Sequence, residues 1–543
     1  MTKNTWKVIS KPQDKKNKNW LLYLLSKNRG LTTKNKLQEF LNPKIEQITA
    51  TKLSDVKKAV NRVSGAINKK EKIIVYSDYD ADGICATAIM WETLYDLGAN
   101  VTPYVPHRLK EGYGLSNDAI STLAKDKVNL IITVDHGVTA LKQVEHAKKL
   151  KIDVVITDHH VLPQSPPKAH ALVHTTSLCG AGVSWLLCWE IVKKLNPSYK
   201  KILLDKLELT AIATIADLVP LTGANRAIVK LGLEKIAKTK RPGIRALMNA
   251  ASINSSIGTY EIGHILAPRI NAMGRIEHGL DALRLLCAKS KSQAEKLAQL
   301  LTKTNSKRQD LTTKGLEVAT SLVNEDQLIG VVAHDSLHEG VIGLVASRLV
   351  EAFGKPMIVI AKGQAYSKGS ARSIAGFNMV EAIRSHSEFL VDGGGHPMAA
   401  GFTIKTQYIE SFSQKINSYA QSRISEDLLT PIIYIECELE LKDLSHKNWQ
   451  TIQLFQPFGV TNQAPIFITR NMLVEDVRAV GSLNNHLKLL LNGISAIGFN
   501  MGNLKSQMRP GYTLDVVYAL DEDKYNGQGS IQLKIKDFKI AES

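Results

Sequence analysis

The sequence predicts an α/β protein: two α/β lobes joined by a helical connector, followed by a C-terminal β-barrel. Three observations predict this. Over about residues 71–225 apolar runs alternate with helical patterns, which implies βαβ units and a mostly parallel sheet. The alternation resumes over about 326–425, after a mainly helical stretch at 226–325. From about 428 to 543 the pattern becomes short alternating strands with turn signals at Asn492-Gly493 and Asn526-Gly527.

Taken in order, residues 1–70 are lysine-rich with short helical patterns at 20–25 and 56–67, and read as an N-terminal cap on the first domain. In the first lobe, 73–75, 130–132 and 154–156 read as strands. Helices are expected at 84–97, stopped by Gly98, and at 115–124, 140–150 and 184–195. Residues 292–323 contain no proline and only Gly315, with Ala294, Leu297 and Leu301 at helical spacing. Such a helix is long enough to connect two lobes, and equally compatible with plain packing. The second lobe has strands at 328–333 and 357–361, a helix at 343–352 between them, and a glycine run, Gly393-Gly394-Gly395-His396-Pro397, at its end. In the tail, 531–536 alternates between an apolar and a basic face. A small barrel that touches backbone phosphates has this pattern, as does a solvated lysine face.

A chain of 543 residues exceeds one core and suits three or four domains. Its 44% hydrophobic and 22% charged content is that of an ordinary globular protein. Lys plus Arg outnumber Asp plus Glu by 69 − 51, a net +18. This favours a polyanionic partner, because each cation placed on a phosphate releases a counterion. Cys85, Cys179, Cys188, Cys287 and Cys437 have no paired spacing, which excludes a disulfide framework or zinc knuckle and suits reduced thiols in the cytoplasm. No uncharged run reaches the ~18 residues that span a bilayer, and the N-terminus lacks the apolar core of a signal peptide.

The chemistry lies in four acidic clusters, each just past an apolar run: Asp78-Tyr79-Asp80-Ala81-Asp82-Gly83, Asp135-His136-Gly137, Asp158-His159-His160 and Asp217. Ligands of open α/β sheets bind beyond the carboxyl ends of the strands, so these groups should converge in one crevice. Carboxylates brought that close repel unless cations lie between them. Oxygen donors mixed with imidazole suit Mg²⁺ or Mn²⁺, which makes a paired-metal site for phosphate-ester hydrolysis the leading expectation. The Asp-x-Asp-x-Asp-Gly spacing places alternate carboxylates on one side of an extended exit from the strand, with Gly83 turning the chain into the next helix. A calcium loop of the EF-hand type is excluded, because its twelfth position is Ile89 rather than Glu.

Together, Asp158-His159-His160, the Asp78–Gly83 motif, Asp135 and Asp217 resemble the DHH phosphoesterase superfamily. Gly394-Gly395-His396 and Ala399-Ala400-Gly401 resemble its DHHA1 domain. Pro268-Arg269-Ile270-Asn271-Ala272-Met273-Gly274-Arg275, the stretch 340–348 and Lys368-Gly369-Ser370-Ala371-Arg372-Ser373 narrow the resemblance to the RecJ single-strand-specific exonucleases. Pro457-Phe458-Gly459 and Ala464-Pro465-Ile466-Phe467 resemble the OB-fold that follows in that family. Ser77 departs from the glycine common there, with only local backbone consequences expected. The resemblance implies domains at 71–225 (DHH), 226–325 (connector), 326–425 (DHHA1) and 428–543 (OB).

It also implies 5′→3′ hydrolysis of single-stranded DNA to 5′-mononucleotides, in repair and recombination. Two divalent cations, Mn²⁺ or Mg²⁺, would share Asp135. Asp80 and Asp82 would separate onto different ions, with His159 and Asp217 completing the shells. His160 is the candidate general acid or phosphate contact; Asp158 and Asp78 are each a ligand or an orienter. By the same resemblance, Arg108, Asn271, Arg275, Ser370, Arg372 and His396 hold DNA, and Tyr113 could stack a base or simply occupy a turn. A single-strand-binding protein and a helicase are the partners implied. Two other readings compete: a phosphodiesterase for short oligonucleotides or cyclic dinucleotides, and a non-enzymatic DNA-binding scaffold. The first needs no basic tail, and the second predicts eroded carboxylates, whereas every acidic position is present.

Overall fold

A computed structural model describes residues 4–12, 15–112, 114–253, 257–523 and 530–541. The chain forms two compact units, one of residues 38–310 with 457–462, the other of 1–37, 311–456 and 463–543.

The 38–310 unit is built on five parallel strands in the order Asn100–Tyr104, Lys72–Ser77, Leu130–Val134, Asp153–Asp158, Ala171–His174. Its three inner strands are the three expected. They are apolar on both faces because each face carries a core: Ile73 and Val75 join one cluster, Ile74 and Tyr76 the other. The two outer strands were not anticipated. Asn100–Tyr104 contains Pro103 and is half solvated, and Ala171–His174 has only four residues, so neither carries a continuous apolar run.

Two helices begin earlier than their periodicity suggests. One spans Ala81–Asp96, because the Asp80 side chain accepts from the Gly83 amide and caps it. Asp82 therefore lies in the first helical turn, and only Asp78 and Asp80 precede the helix. Gly83 is not the turning residue; it lets the helix approach the strand exit, where an added Cβ would fall 2.6 Å from Asp78 Cβ. The other spans Gly180–Leu195 and opens on Gly-Ala-Gly, whose low helix propensity hid its start.

The helix Lys291–Ser321 is a single 31-residue element. Ala294, Ala298 and Leu301 pack in the core of one unit, and Leu316 and Ala319 in the core of the other.

In the second unit a mixed sheet runs in the order Leu390–His396, Ala399–Lys405, Tyr366–Arg372, Met357–Ala361, Gly330–His334. The glycine run thus forms an edge strand, with Gly395 opposite Ala400. Ser370 and Arg372 lie in the strand Tyr366–Arg372. The barrel closes because the 14-residue strand Phe467–Val480 bends at register shifts and pairs with both His486–Leu491 and Thr513–Glu522. Asn492-Gly493 makes the expected tight hairpin with positive φ at both residues. Asn526-Gly527 lies outside the described residues.

The expected N-terminal cap is corrected in its first part. Thr5–Val8 pairs in parallel with Ile432–Ile435, and Trp6 Nε1 donates to Asp537 Oδ2 at 2.8 Å, so residues 1–37 belong with the barrel's unit. Pairing across more than 400 residues leaves no local pattern to read. Among the described residues, no helix is long and apolar enough to cross a membrane.

Candidate metal centre

The exits of the three inner strands and the end of the helix Leu207–Ala216 bring the acidic clusters together. Asp135 follows Leu130–Val134 in a left-handed conformation, φ 67°, which aspartate tolerates better than most side chains. It is fully enclosed, and its Oδ1 is buried without a hydrogen-bond partner. His159 Nε2 lies 3.2 Å from that oxygen, 3.7 Å from Asp217 Oδ2 and 3.9 Å from Asp82 Oδ2. Three sets of ligand atoms each lie within 4.8 Å of one another: Asp78, Asp80 and Asp135; Asp82, His159 and Asp217; and Asp135, His159 and His160. Asp80 and Asp82 fall in different sets, and Asp135 appears in two.

Backbone amides hold this charge in place. The first turn of Gly180–Leu195 donates two amides to Asp82, Gly180 to Oδ2 at 2.6 Å and Ala181 to Oδ1 at 2.7 Å. A helix N-terminus is a favourable partner for an anion. Gly180 also touches Asp135: an added Cβ would lie 2.4 Å from its Oδ1. Gly180 was missed from sequence, and the only signal was the Gly-Ala-Gly opening of an apolar helix.

Burial and mutual repulsion push these acids up. Asp82 rises to about 6 and Asp217 to about 8, while Asp78 and Asp135 rise well above the usual carboxylate range; burial is the first cause and neighbouring aspartates the second. A buried, unpartnered Asp135 oxygen facing imidazole and carboxylate oxygens is the donor set of a hard divalent cation.

Asp158 behaves differently. Its Oδ1 accepts from the amides of His159 and His160 and from His160 Nδ1 at 2.7 Å, and its Oδ2 accepts from the Val138 amide at 2.9 Å. Both oxygens are spent on protein donors, so it orients His160 and lies outside the clustered ligand sets. Burial alone would lower His160, but the Asp158 hydrogen bond and charge outweigh it and push it up to about 9. The Asp158 pair thus favours the protonated form of His160.

Around the metal loop, Arg108 lies 5.2 Å over the Tyr79 ring, and the charges of Arg108 and Arg275 both act on that phenol. Asn271 is committed to the loop, its Oδ1 accepting from the Ala81 amide at 2.7 Å. Through that oxygen it positions the loop. Tyr113 lies outside the described residues.

The other unit carries a separate constellation. Arg372 Nη1 donates to Ser370 Oγ at 3.2 Å and to the Ala371 carbonyl at 2.8 Å. Partial burial holds this guanidinium below its ordinary value, and no carboxylate among the described residues pairs with it. The helix Ile342–Phe353 starts beside it, since a Cβ on Gly343 would lie 3.0 Å from both Arg372 Nη2 and Ser370 Oγ. His396 is exposed on the edge strand.

Comparison with known proteins agrees with this layout. Residues 72–214 match the DHH family N-terminal domain, 324–422 the DHHA1 domain and 435–537 the RecJ OB domain. The single-stranded-DNA-specific exonuclease RecJ of Bacillus subtilis is 35% identical over 95% of this chain and 67% of its own length. That of Haemophilus influenzae is 31% identical over 92% of each. The crystal structure of Thermus thermophilus RecJ with Mn²⁺ superposes with a TM-score of 0.86 at 29% identity, over 99% of this chain and 80% of that one; its Mg²⁺ complex gives 0.79 at 28%, over 99% and 79%. The chain belongs to the RecJ family of DHH phosphoesterases.

Proposed function

We propose that the chain is a single-stranded-DNA-specific exonuclease that hydrolyses phosphodiesters 5′→3′ and releases 5′-mononucleotides with two divalent cations, Mn²⁺ or Mg²⁺. The observation that carries this reading is the convergence of five aspartates and two histidines around the unpartnered Asp135 oxygen, on a chain with a net charge of +18.

Asp78, Asp80 and Asp135 would hold one cation and Asp82, His159 and Asp217 the other, with Asp135 shared. Cations held there supply charge neutralisation at the phosphoryl oxygens and a lowered pKa for water. The chain's residues do the rest. The amides of Gly180 and Ala181 fix Asp82, and Asn271 fixes the loop that carries Asp80. Asp158 holds His160 protonated and aimed, so that Nε2 can donate to a phosphoryl or leaving oxygen. Arg372 and Ser370, with His396, Arg108 and Arg275, would grip backbone phosphates, including the terminal 5′ phosphate. Arg372 is a half-buried cation that no carboxylate among the described residues pairs with, which suits an incoming anion.

A phosphodiesterase for short oligonucleotides or cyclic dinucleotides needs no barrel and is the weaker reading. A role in repair and recombination, with a single-strand-binding protein and a helicase as partners, follows from the family. A cytoplasmic location follows from five cysteines that are all free thiols. The direct test is product analysis on a 5′-labelled single strand, the matching duplex and a dinucleotide, with Mn²⁺ and with chelator. Mononucleotides released progressively from the single strand alone are expected. Preference for the dinucleotide, or cleavage within the duplex, would overturn the reading.

A further inference from the structure

The segment from Tyr260 to Ile276 flanks the acidic cluster. At its start is a six-residue π-helix, Glu261–Leu266, which continues directly into the α-helix Ala267–Ile276. Such wide turns are rare and are found disproportionately at functional sites. The π-helix packs inward through Ile262 and Leu266, and a Cβ on Gly263 would lie 3.5 Å from Ile215, two residues before Asp217. At the other end Asn271 bonds the Ala81 amide of the metal loop. The segment is therefore anchored at both ends to elements that carry the carboxylates.

Its outward features serve no evident structural purpose. Tyr260 is 62% exposed and stacks on exposed His264, with ring centroids 4.6 Å apart and planes 19° apart. Two aromatic rings in water, parallel and already in contact, form a flat platform. Arg269, one π-helical turn beyond His264, donates Nη1 to the Ile265 carbonyl at 2.7 Å, while its Nε is buried without a partner. No carboxylate among the described residues pairs with Arg269. The nearest acid on the segment, Glu261, is occupied by the Gly258 amide at 2.8 Å.

We propose that Tyr260, His264 and Arg269 form a nucleotide subsite, the two rings stacking a base and the guanidinium meeting the adjoining backbone phosphate. It rests on the single-strand exonuclease reading. The exonuclease reading already gives the 5′-terminal nucleotide to Arg372 and Ser370. An enzyme that removes single nucleotides from a 5′ end has only one nucleotide on that side of the scissile bond. The subsite therefore takes the 3′ continuation of the strand. Stacking accepts every base, as a nuclease without sequence preference requires.

The test is binding of a phosphorothioate-protected, 5′-phosphorylated single strand carrying 2-aminopurine at successive positions, to the full chain with Mn²⁺. Wild type should quench one internal position on the 3′ side. Tyr260→Ala with His264→Ala should lose that quench and weaken binding about 5- to 100-fold, the range for one stacked base, and Tyr260→Phe should retain both. Arg269→Ala should flatten the plot of log affinity against log salt by about 0.7, and Arg269→Lys should restore it. Both ring positions are exposed, so the double variant should melt with wild type. An unchanged quench and affinity in that variant, while wild type degrades single strands, overturns the subsite alone. A wild type that neither binds nor degrades them overturns the exonuclease reading with it.

Discussion

Beyond the carboxyl ends of the parallel strands five aspartates crowd together, opposed by helix amides and by the charges of His160 and Arg108. On the strand Tyr366–Arg372, a half-buried guanidinium faces a hydroxyl and a carbonyl, and no carboxylate among the described residues pairs with it. Each region is strained electrostatically, with opposite sign. Each becomes satisfied by what the other kind of site repels: cations in the first, phosphate in the second. The first is held by the Gly180 and Ala181 amides and the Asp80 cap, the second by a β-ladder register that places Ser370 and Arg372 on one face, two residues apart. A nuclease that needs metal ions and a charged substrate end together has reason to maintain both.

The contrast can be broken most strongly at Asp135. Asp135→Asn keeps a residue tolerant of the left-handed backbone but removes the negative charge at the shared position. Cleavage of single-stranded DNA should fall by about a thousandfold or more. In chelator the melting temperature should hold or rise, because a repelling charge is gone. Activity within tenfold of wild type would remove Asp135 from its proposed role.

Arg372→Ala acts on the other side of the comparison. A charged hydrogen bond of this kind contributes about 1.5–3 kcal/mol, so KM for a 5′-phosphorylated strand should rise about 10- to 100-fold. KM for a 5′-hydroxyl strand should move far less. Equal losses on both substrates would place the 5′ phosphate elsewhere.

A pH titration of stability sharpens the electrostatic half. Asp82 and Asp217 have folded values of about 6 and about 8, above the unfolded value near 4. The folded state therefore binds more protons than the unfolded state between those limits, and stability falls as pH rises. In chelator, Tm should drop between pH 4 and pH 8; Mn²⁺ should abolish most of the drop, and Asp217→Asn should reduce it. A metal-free protein whose stability rises over that range would contradict the clustering.

The smallest effect is expected in the barrel. Lys534 already pairs with Asp521, whereas Lys536 is exposed. Lys536→Ala should flatten the salt dependence of binding by about 0.7 if it meets a phosphate, with Lys534→Ala moving it less. The reverse order would mean that the Asp521 pair opens on binding.

What could be read from sequence divides along physical lines. The inner strands were legible because burial on both faces demands continuous apolar runs, and the carboxylates because four clusters followed such runs. Gly180 was hidden because its worth lies in the absence of a Cβ beside Asp135. The bond from the Ala81 amide to Asn271 was hidden because the two lie 190 residues apart. The pairing of Thr5–Val8 with Ile432–Ile435 was hidden for the same reason: contacts that close long loops leave no periodic trace. The strand character of Tyr366–Arg372 was masked by Gly369, Ser367 and Ser370, residue types common in turns, until the neighbouring strands Met357–Ala361 and Ala399–Lys405 enclose them.

The central claim is that the buried carboxylates form one site for two divalent cations joined through Asp135. Calorimetric titration of Mn²⁺ into the metal-free protein tests it most directly. Two ions should bind per chain, with release of protons from the raised carboxyl groups at neutral pH, and Asp135→Asn should reduce this to one ion or none. Binding of two ions by the variant with unchanged affinity, or cleavage by wild type in excess chelator, would contradict it.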